Sequence, residues 1–219
     1  MDQSQSKARE LDLIAEKLWP ITDTFGRPKG NVAARLFVEC KFVASDSVFW
    51  FAPKNLSAAR RLVCSLGPFR DNNSYTERHH YVAKSPSVAK VFASSNSRAQ
   101  ENEPFYRALN QALNGTVSMR STPPSHPQLR GQSSVITLNY PIVVCSSFAN
   151  LYAVDLLAEA APRLISENFQ LEVQYAFLDR NRRQQDEYFL LDFVEFGQLS
   201  EFEADIAAGA QAGAYLASD

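Results

Sequence analysis

Three charged side chains interrupt otherwise hydrophobic runs: Asp12 within residues 11–15, and Glu39 and Lys41 within residues 35–43 (RLFVECKFV). In an extended strand successive side chains alternate faces, so Glu39 and Lys41 project to the same side about 6.5–7 Å apart, while Val38 and Cys40 point the other way. A charged pair on an apolar strand is costly to bury unless it is paired or holds an ion. If the segment around Asp12 pairs with this strand, Asp12 approaches Glu39. Two neighbouring carboxylates repel, and a divalent cation removes that repulsion. Mg²⁺ (or Mn²⁺) takes oxygen ligands, commonly one or two carboxylates with water and substrate phosphate. A cation so held polarises a phosphodiester and lowers the pKa of bound water. The Lys41 ammonium could orient the attacking water or stabilise charge developing on phosphate oxygens. The backbone carbonyl of Cys40 is a further candidate metal ligand. The plainer account is a same-face ion pair on an edge strand with Asp12 a strand-end acid, since a Glu-x-Lys triplet alone is common by chance.

The elements that must position these residues follow from the pattern of the chain. Residues 11–15 are a short apolar run, and 19–34, with Pro20, Gly26, Pro28 and Gly30, read as a long loop. Residues 35–43 form a strand antiparallel to the first run, and 48–51 a second hydrophobic run. Apolar positions Leu56, Ala59, Leu62, Val63 and Leu66 have helical spacing, stopped by Gly67 and Pro68. A short strand is expected near residues 80–83 and a helix after Pro86. Residues 102–114 form a stronger helix, with Pro104 in its first turn, a stripe of Phe105, Ala108, Leu109, Ala112 and Leu113, and Gly115 at its end. The Ser-, Pro- and Gly-rich stretch 121–134 reads as a loop or linker. Beyond it come a strand over 135–145 interrupted at Pro141, another over 151–157, a hairpin of 171–178 and 188–196 around the turn DRNRRQQD, and a closing helix over 199–208. The expected fold class is α/β, a mixed sheet flanked by helices. The division is a core over 1–120 carrying Asp12 and Glu39-x-Lys41, a linker over 121–134, and a β-rich half over 135–219 packing on the core, or one domain over 1–219.

The segments ARELDLIAEK and RLFVECKF resemble the motif of the PD-(D/E)XK, or restriction-endonuclease-like, nuclease superfamily. There an acid at a hairpin precedes a strand bearing Glu-x-Lys, and the Glu-Cys-Lys form is a variant in Mrr-like and other defence-associated members. The likeness covers about residues 8–66, with a looser one in NYPIVVCSSFANLYAVD and YFLLDFVEFGQLSEFEADI. It implies a restriction-endonuclease-like core followed by a C-terminal β-hairpin and helix. It also implies Asp12 and Glu39 as metal ligands, Lys41 as the catalytic lysine, and Mg²⁺-dependent hydrolysis of DNA in a restriction or defence setting. The alternative is a catalytically inactive nuclease-like scaffold that binds nucleic acid, a protein partner or a second copy of itself.

Other candidates are weaker. Lys29, Arg35, Arg60 and Arg61 are candidate nucleic-acid contacts, with solvated loop or helix positions as the ordinary account. Arg27 shares the loop with Lys29, and Arg180, Arg182 and Arg183 sit at the expected hairpin tip. His79 and His80 lack an acid or Cys at ligand spacing and are set aside as a metal site. His126 has no visible partner. Tyr106 and Gln111 could line a groove on their helix.

The composition bounds these readings. The 219 residues are 45% hydrophobic and 21% charged, with 15 Phe and 8 Tyr, which supports a sizeable buried core. A net charge of −2 argues against sequence-independent gripping of a phosphate backbone by the whole surface, so any such contact is local. Cys40, Cys64 and Cys145 are scattered and odd in number, which fits buried thiols in a reducing cytoplasm. Residues 1–10 are polar, without an apolar stretch of signal-peptide type, and no run is long enough to cross a membrane.

Overall fold

The computed structural model describes residues 11–65, 73–95, 104–124, 135–158, 160–179 and 181–217. Among them, nine strands form one sheet: β1 (Leu13–Thr22), β2 (Pro28–Lys41), β3 (Ser47–Pro53), β4 (Ser87–Ser94), β5 (Val135–Cys145), β6 (Leu151–Asp155), β7 (Arg163–Leu164), β8 (Phe169–Leu178) and β9 (Gln184–Glu195). Five helices flank it: α1 (Leu56–Ser65), α2 (Asn73–Arg78), α3 (His80–Ala83), α4 (Pro104–Met119) and α5 (Leu199–Leu216). The sheet order is β1-β2-β5-β9-β8-β4-β3-β6-β7, so the strands of residues 135–219 interleave with earlier ones. The mixed α/β class is as expected.

Strand alternation divides the interior in two. Val32, Ala34, Val38, Tyr140, Ile142, Leu190 and Val194 face α1–α3 and α5. Val143, Cys145, Leu171, Leu191 and Phe193 face α4, where Phe49 meets Phe169 and Phe193 at ring-centroid distances of 4.9 and 5.3 Å. On β2 this parity sends Arg35, Phe37, Glu39 and Lys41 towards α4. Gly115 of α4 lies so close to Phe37 that an added Cβ would stand 3.1 Å from its ring.

Several expectations are corrected. The loop expected over 19–34 is a long hairpin, in which β1 and β2 pair from Leu13↔Val38 to Thr22↔Pro28. Pro20 is tolerated because β1 is the outermost strand, and Pro28 because it opens β2. The turn is only residues 23–27, where Asp23 Oδ1 accepts the amides of Phe25 and Arg27 at 2.9 and 2.8 Å and Gly26 supplies a φ of +75°. Pro141 does not interrupt β5. The neighbouring β9 joins β5 only from Ile142 onward, so position 141 precedes that second pairing. The strand expected at residues 80–83 is the helical turn α3, with the His79 side chain accepting the Tyr81 amide at its start. The helix expected after Pro86 is β4, paired with β3. Helices α4 and α5 run further than expected, to Met119 and Leu216. The hairpin expected near the C-terminus is present as β8 and β9. Gly67, Pro68, His126, Arg180 and most of the 121–134 stretch lie outside the described residues.

One joint of the sheet is thin. Strands β4 and β8 share a single parallel bridge, Ala89↔Leu171, and then part around a cleft lined by Val91, Tyr106 and Gln174.

The least ordinary occupant of the α4 side is Arg35, which is fully buried. Its Nε donates to Glu16 Oε1 at 2.7 Å and its Nη1 to the Met119 carbonyl at 3.0 Å, so it ties β1, β2 and the end of α4 together. Removing one partner of such a pair leaves the other charge inside without compensation. Arg35→Ala is expected to lower unfolding stability by about 3 kcal/mol in urea titration, whereas exposed Arg61→Ala leaves it unchanged within error.

Candidate active site

The β1–β2 register sets Asp12 beside the end of β2, because Leu13 pairs with Val38. Asp12 Oδ2 accepts the Cys40 amide at 2.8 Å, and the Asp12 amide reaches Glu39 Oε1 at 3.4 Å. Lys41 Nζ donates to Glu39 Oε2 at 3.1 Å. The three residues named from sequence are therefore neighbours. Their exposures differ: Glu39 is fully buried, the Lys41 side chain is 21% exposed, and Asp12 is exposed.

The cluster lies at the carboxyl ends of three mutually parallel strands, with Lys41, Cys145 and Glu195 in one register row across β2, β5 and β9. Ligand sites in open α/β sheets form outside such strand ends. Glu195, not singled out from sequence, is a further carboxylate in this row. It is engaged locally: Oε1 accepts the Phe148 amide at 2.9 Å and Oε2 the Gln198 amide group at 3.2 Å.

Burial raises the Glu39 carboxyl above its ordinary range, the hydrogen bond and charge of Lys41 oppose that, and the nearby Asp12 charge raises it further. Desolvation, then the charges of Asp12 and Glu39, push the Cys40 thiol up, which disfavours the thiolate and a nucleophilic role. The Cys145 thiol is pushed up to about 12, mainly by burial.

The donors suit a hard cation. They are two carboxylates and a main-chain carbonyl, all oxygen. The Lys41 carbonyl is taken by the Ser146 amide on the β5 side. Strand alternation turns the Cys40 carbonyl to the opposite side, where Asp12 lies. Among the described residues no group of three or more His, Cys, Asp or Glu side chains could hold a metal ion. The oxygen atoms on hand for a cation here are therefore few: the Asp12 carboxylate, the Glu39 carboxylate, which Lys41 and the Asp12 amide already engage, and the Cys40 carbonyl.

The expected nucleic-acid contacts do not gather here. Lys29 is exposed but lies ten residues before Glu39 on the same strand, roughly 33 Å away at the rise of an extended chain. Arg35 is buried on Glu16 and faces no solvent. Arg60 pairs with Glu77 through two contacts of 2.7 and 3.2 Å. Arg61 is exposed on α1, which packs Ala59 and Val63 into the core on the face opposite Glu39. Arg27 stacks on Phe25 in the β1–β2 turn, and Arg182 and Arg183 are exposed at the β8–β9 turn.

A second polar constellation was not assembled from sequence. His80 Nε2 lies 3.1 Å from Asp192 Oδ2, and Gln170 Nε2 donates to Asp192 Oδ1 at 3.1 Å. Buried Lys54 donates to the carbonyls of Tyr81 and Lys84, and burial lowers its pKa to about 8 against the opposing charges of Asp192 and Glu172. The adjacent histidines were the available signal, but their acid stands 112 positions away from His80.

Comparison with family models, with curated proteins and with solved structures finds no match to this chain.

Because the folded chain holds the Glu39 proton more tightly than the unfolded chain does, ionised Glu39 costs stability above its folded pKa, and that cost disappears below its unfolded value. In metal-free buffer Glu39→Gln is expected to melt above the wild type at about pH 7.5, with the two curves converging near pH 4. A lower melting temperature for Glu39→Gln at neutral pH would mean that the Lys41 pair outweighs desolvation.

Proposed function

We propose that this chain is a metal-dependent nuclease hydrolysing DNA phosphodiester bonds, with Asp12 and Glu39 as metal ligands and Lys41 as the catalytic lysine. The observation that carries this reading is the convergence of Asp12, Glu39 and Lys41 at the carboxyl ends of parallel strands. They come from two segments 27 residues apart, and Glu39 joins them, taking the Asp12 main-chain amide on one oxygen and the Lys41 ammonium on the other. The resemblance of RELDLIA and RLFVECKF to the PD-(D/E)XK motif is the second support.

The division of labour follows from the chemistry. When bound, Mg²⁺ or Mn²⁺ supplies Lewis acidity at a phosphodiester oxygen and lowers the pKa of water. Asp12 is the solvent-facing carboxylate, fixed by the Cys40 amide so that its second oxygen remains for a ligand. Glu39 is the buried carboxylate, held by Lys41. Lys41 keeps part of its side chain in solvent, where its ammonium can meet an incoming phosphate and stabilise charge that builds up on it. The three free cysteines accord with a reducing, cytoplasmic setting. No helix among the described residues is long and apolar enough to cross a membrane.

A second reading has its own observation. Lys29, Arg35, Arg60 and Arg61 do not surround the cluster, which favours an inactive nuclease-like scaffold that binds nucleic acid, a protein partner or a second copy through another surface.

Cleavage of plasmid and linear DNA with Mg²⁺, with Mn²⁺ and with chelator separates the two. The nuclease reading expects metal-dependent nicking that drops by about 10²-fold or more in both Glu39→Ala and Lys41→Ala. Equal cleavage by all three proteins, or none under either metal, removes it. Salt-sensitive DNA binding without cleavage supports the scaffold.

A further inference from the structure

The face of the sheet opposite Glu39 carries a cavity of about 570 Å³ between α2–α3 and α5. That volume is within the usual range for small-molecule sites. The α5 wall is built of small or apolar residues, among them Ala208, Ala212 and Leu216, with Asp205 nearer its start, and Arg78, Ala83 and Lys84 line the cavity from the α2–α3 side. Lys84 pairs with Asp205, whereas Arg78 is exposed with no acidic partner among the described residues. Among the described residues, one positive charge without an acidic partner therefore stands at the edge of an apolar recess.

The inner wall includes His79 and His80, whose rings stack at 4.7 Å. Each has a defined hydrogen-bonding role. His79 Nδ1 accepts the Tyr81 amide at 3.2 Å, so its proton sits on Nε2, towards the Tyr140 hydroxyl at 3.3 Å. Burial, then the neighbouring His80, holds the His79 pKa well below its ordinary value. Both ring nitrogens of His79 are engaged. His80 differs. Its Nε2 faces Asp192, a carboxylate that Gln170 holds from the other side, so Nε2 carries a proton. In the neutral ring this leaves Nδ1 as an acceptor, and no partner for it exists among the described residues. Asp192 fixes the orientation of the ring and its tautomer, much as a carboxylate behind a metal-binding or catalytic histidine does.

Gly209 is an independent sign that the recess is open. It lies inside α5 and lines the cavity, and a Cβ added there would meet nothing within 4 Å. A mid-helix glycine costs roughly 1 kcal/mol relative to alanine. Nothing packed against it requires the missing side chain.

We propose that this cavity binds a small organic anion. Its carboxylate pairs with Arg78, its apolar body lies along the α5 wall, and a hydroxyl donates to Nδ1 of His80. Asp192 and Gln170 are positioning residues, acting through the imidazole. The site is separate from the Asp12–Glu39–Lys41 cluster and lies across the sheet from it.

Isothermal titration with p-hydroxyphenylpropanoate tests this, with phenylpropanoate as the analogue lacking the hydroxyl. The expected dissociation constant for the hydroxylated acid is below about 1 mM. Loss of the hydroxyl or Arg78→Gln is each expected to weaken binding roughly tenfold. Asp192→Asn should erase the difference between the two acids by freeing the ring to change tautomer. Gly209→Leu fills the recess from an open position, so it should abolish binding while the melting temperature is retained or raised. Glu39→Gln should bind as the wild type does, which keeps this result independent of the nuclease assay. No binding to the wild type, or equal binding by wild type, Arg78→Gln and Gly209→Leu, overturns the proposal.

Discussion

Strand β2 is the constraint on which the rest of the molecule depends. It is hydrogen-bonded to β1 on one side and to β5 on the other, and its alternation assigns every side chain to one of two interiors. Even positions supply aliphatic surface to the layer under α5. Odd positions carry Arg35, Phe37, Glu39 and Lys41 towards α4. A one-residue slip would exchange the two sets and put aliphatic groups where the charges are compensated. The register is held by the buried Arg35, which reaches Glu16 on β1 and the last turn of α4, and by Asp12, whose carboxylate takes the Cys40 amide just past the last ladder pair. The polar contacts that fix the pairing are continuous with those that shape the candidate site.

Burial of Glu39 gives that site its character. A carboxylate without solvent contact is unfavourable in water-free surroundings, and Lys41 offsets only part of the cost. A cation bound as proposed would offset the remainder of that cost. The exposed Asp12 beside it provides a second oxygen source from the solvent side. Stability given up at a site and recovered on binding is a common arrangement in functional clefts.

Legibility from sequence followed the range of the interactions involved. The alternation in RLFVECKFV was sufficient to put Glu39 and Lys41 on one face, and the polar interruption at Asp12 sufficient to name it. Local rules failed where tertiary context decides. Pro20 and Pro28 signalled a loop, yet an outermost strand and a strand start both accept proline. Residues 87–94 could serve as helix or strand, and pairing with β3 settled the matter. Arg35 looked like a surface cation because its partners, Glu16 and the Met119 carbonyl, lie on other elements. The His80–Asp192 contact spans 112 positions and crosses from a helix to a central strand, so no local pattern contains it.

The narrow seam between β4 and β8 has a mechanical consequence. With one backbone bridge at Ala89↔Leu171, the sheet behaves as two plates: a five-strand plate from β1 to β8 and a four-strand plate from β4 to β7. Phe49 on the smaller plate is bolted by ring contacts to Phe169 and Phe193 on the larger and to Phe105 of α4. Aromatic packing tolerates small rotations that a full ladder of amide bonds would resist. Flexing of the molecule should therefore concentrate at this phenylalanine joint, leaving the strand ends that carry Asp12, Glu39 and Lys41 together on the more rigid plate.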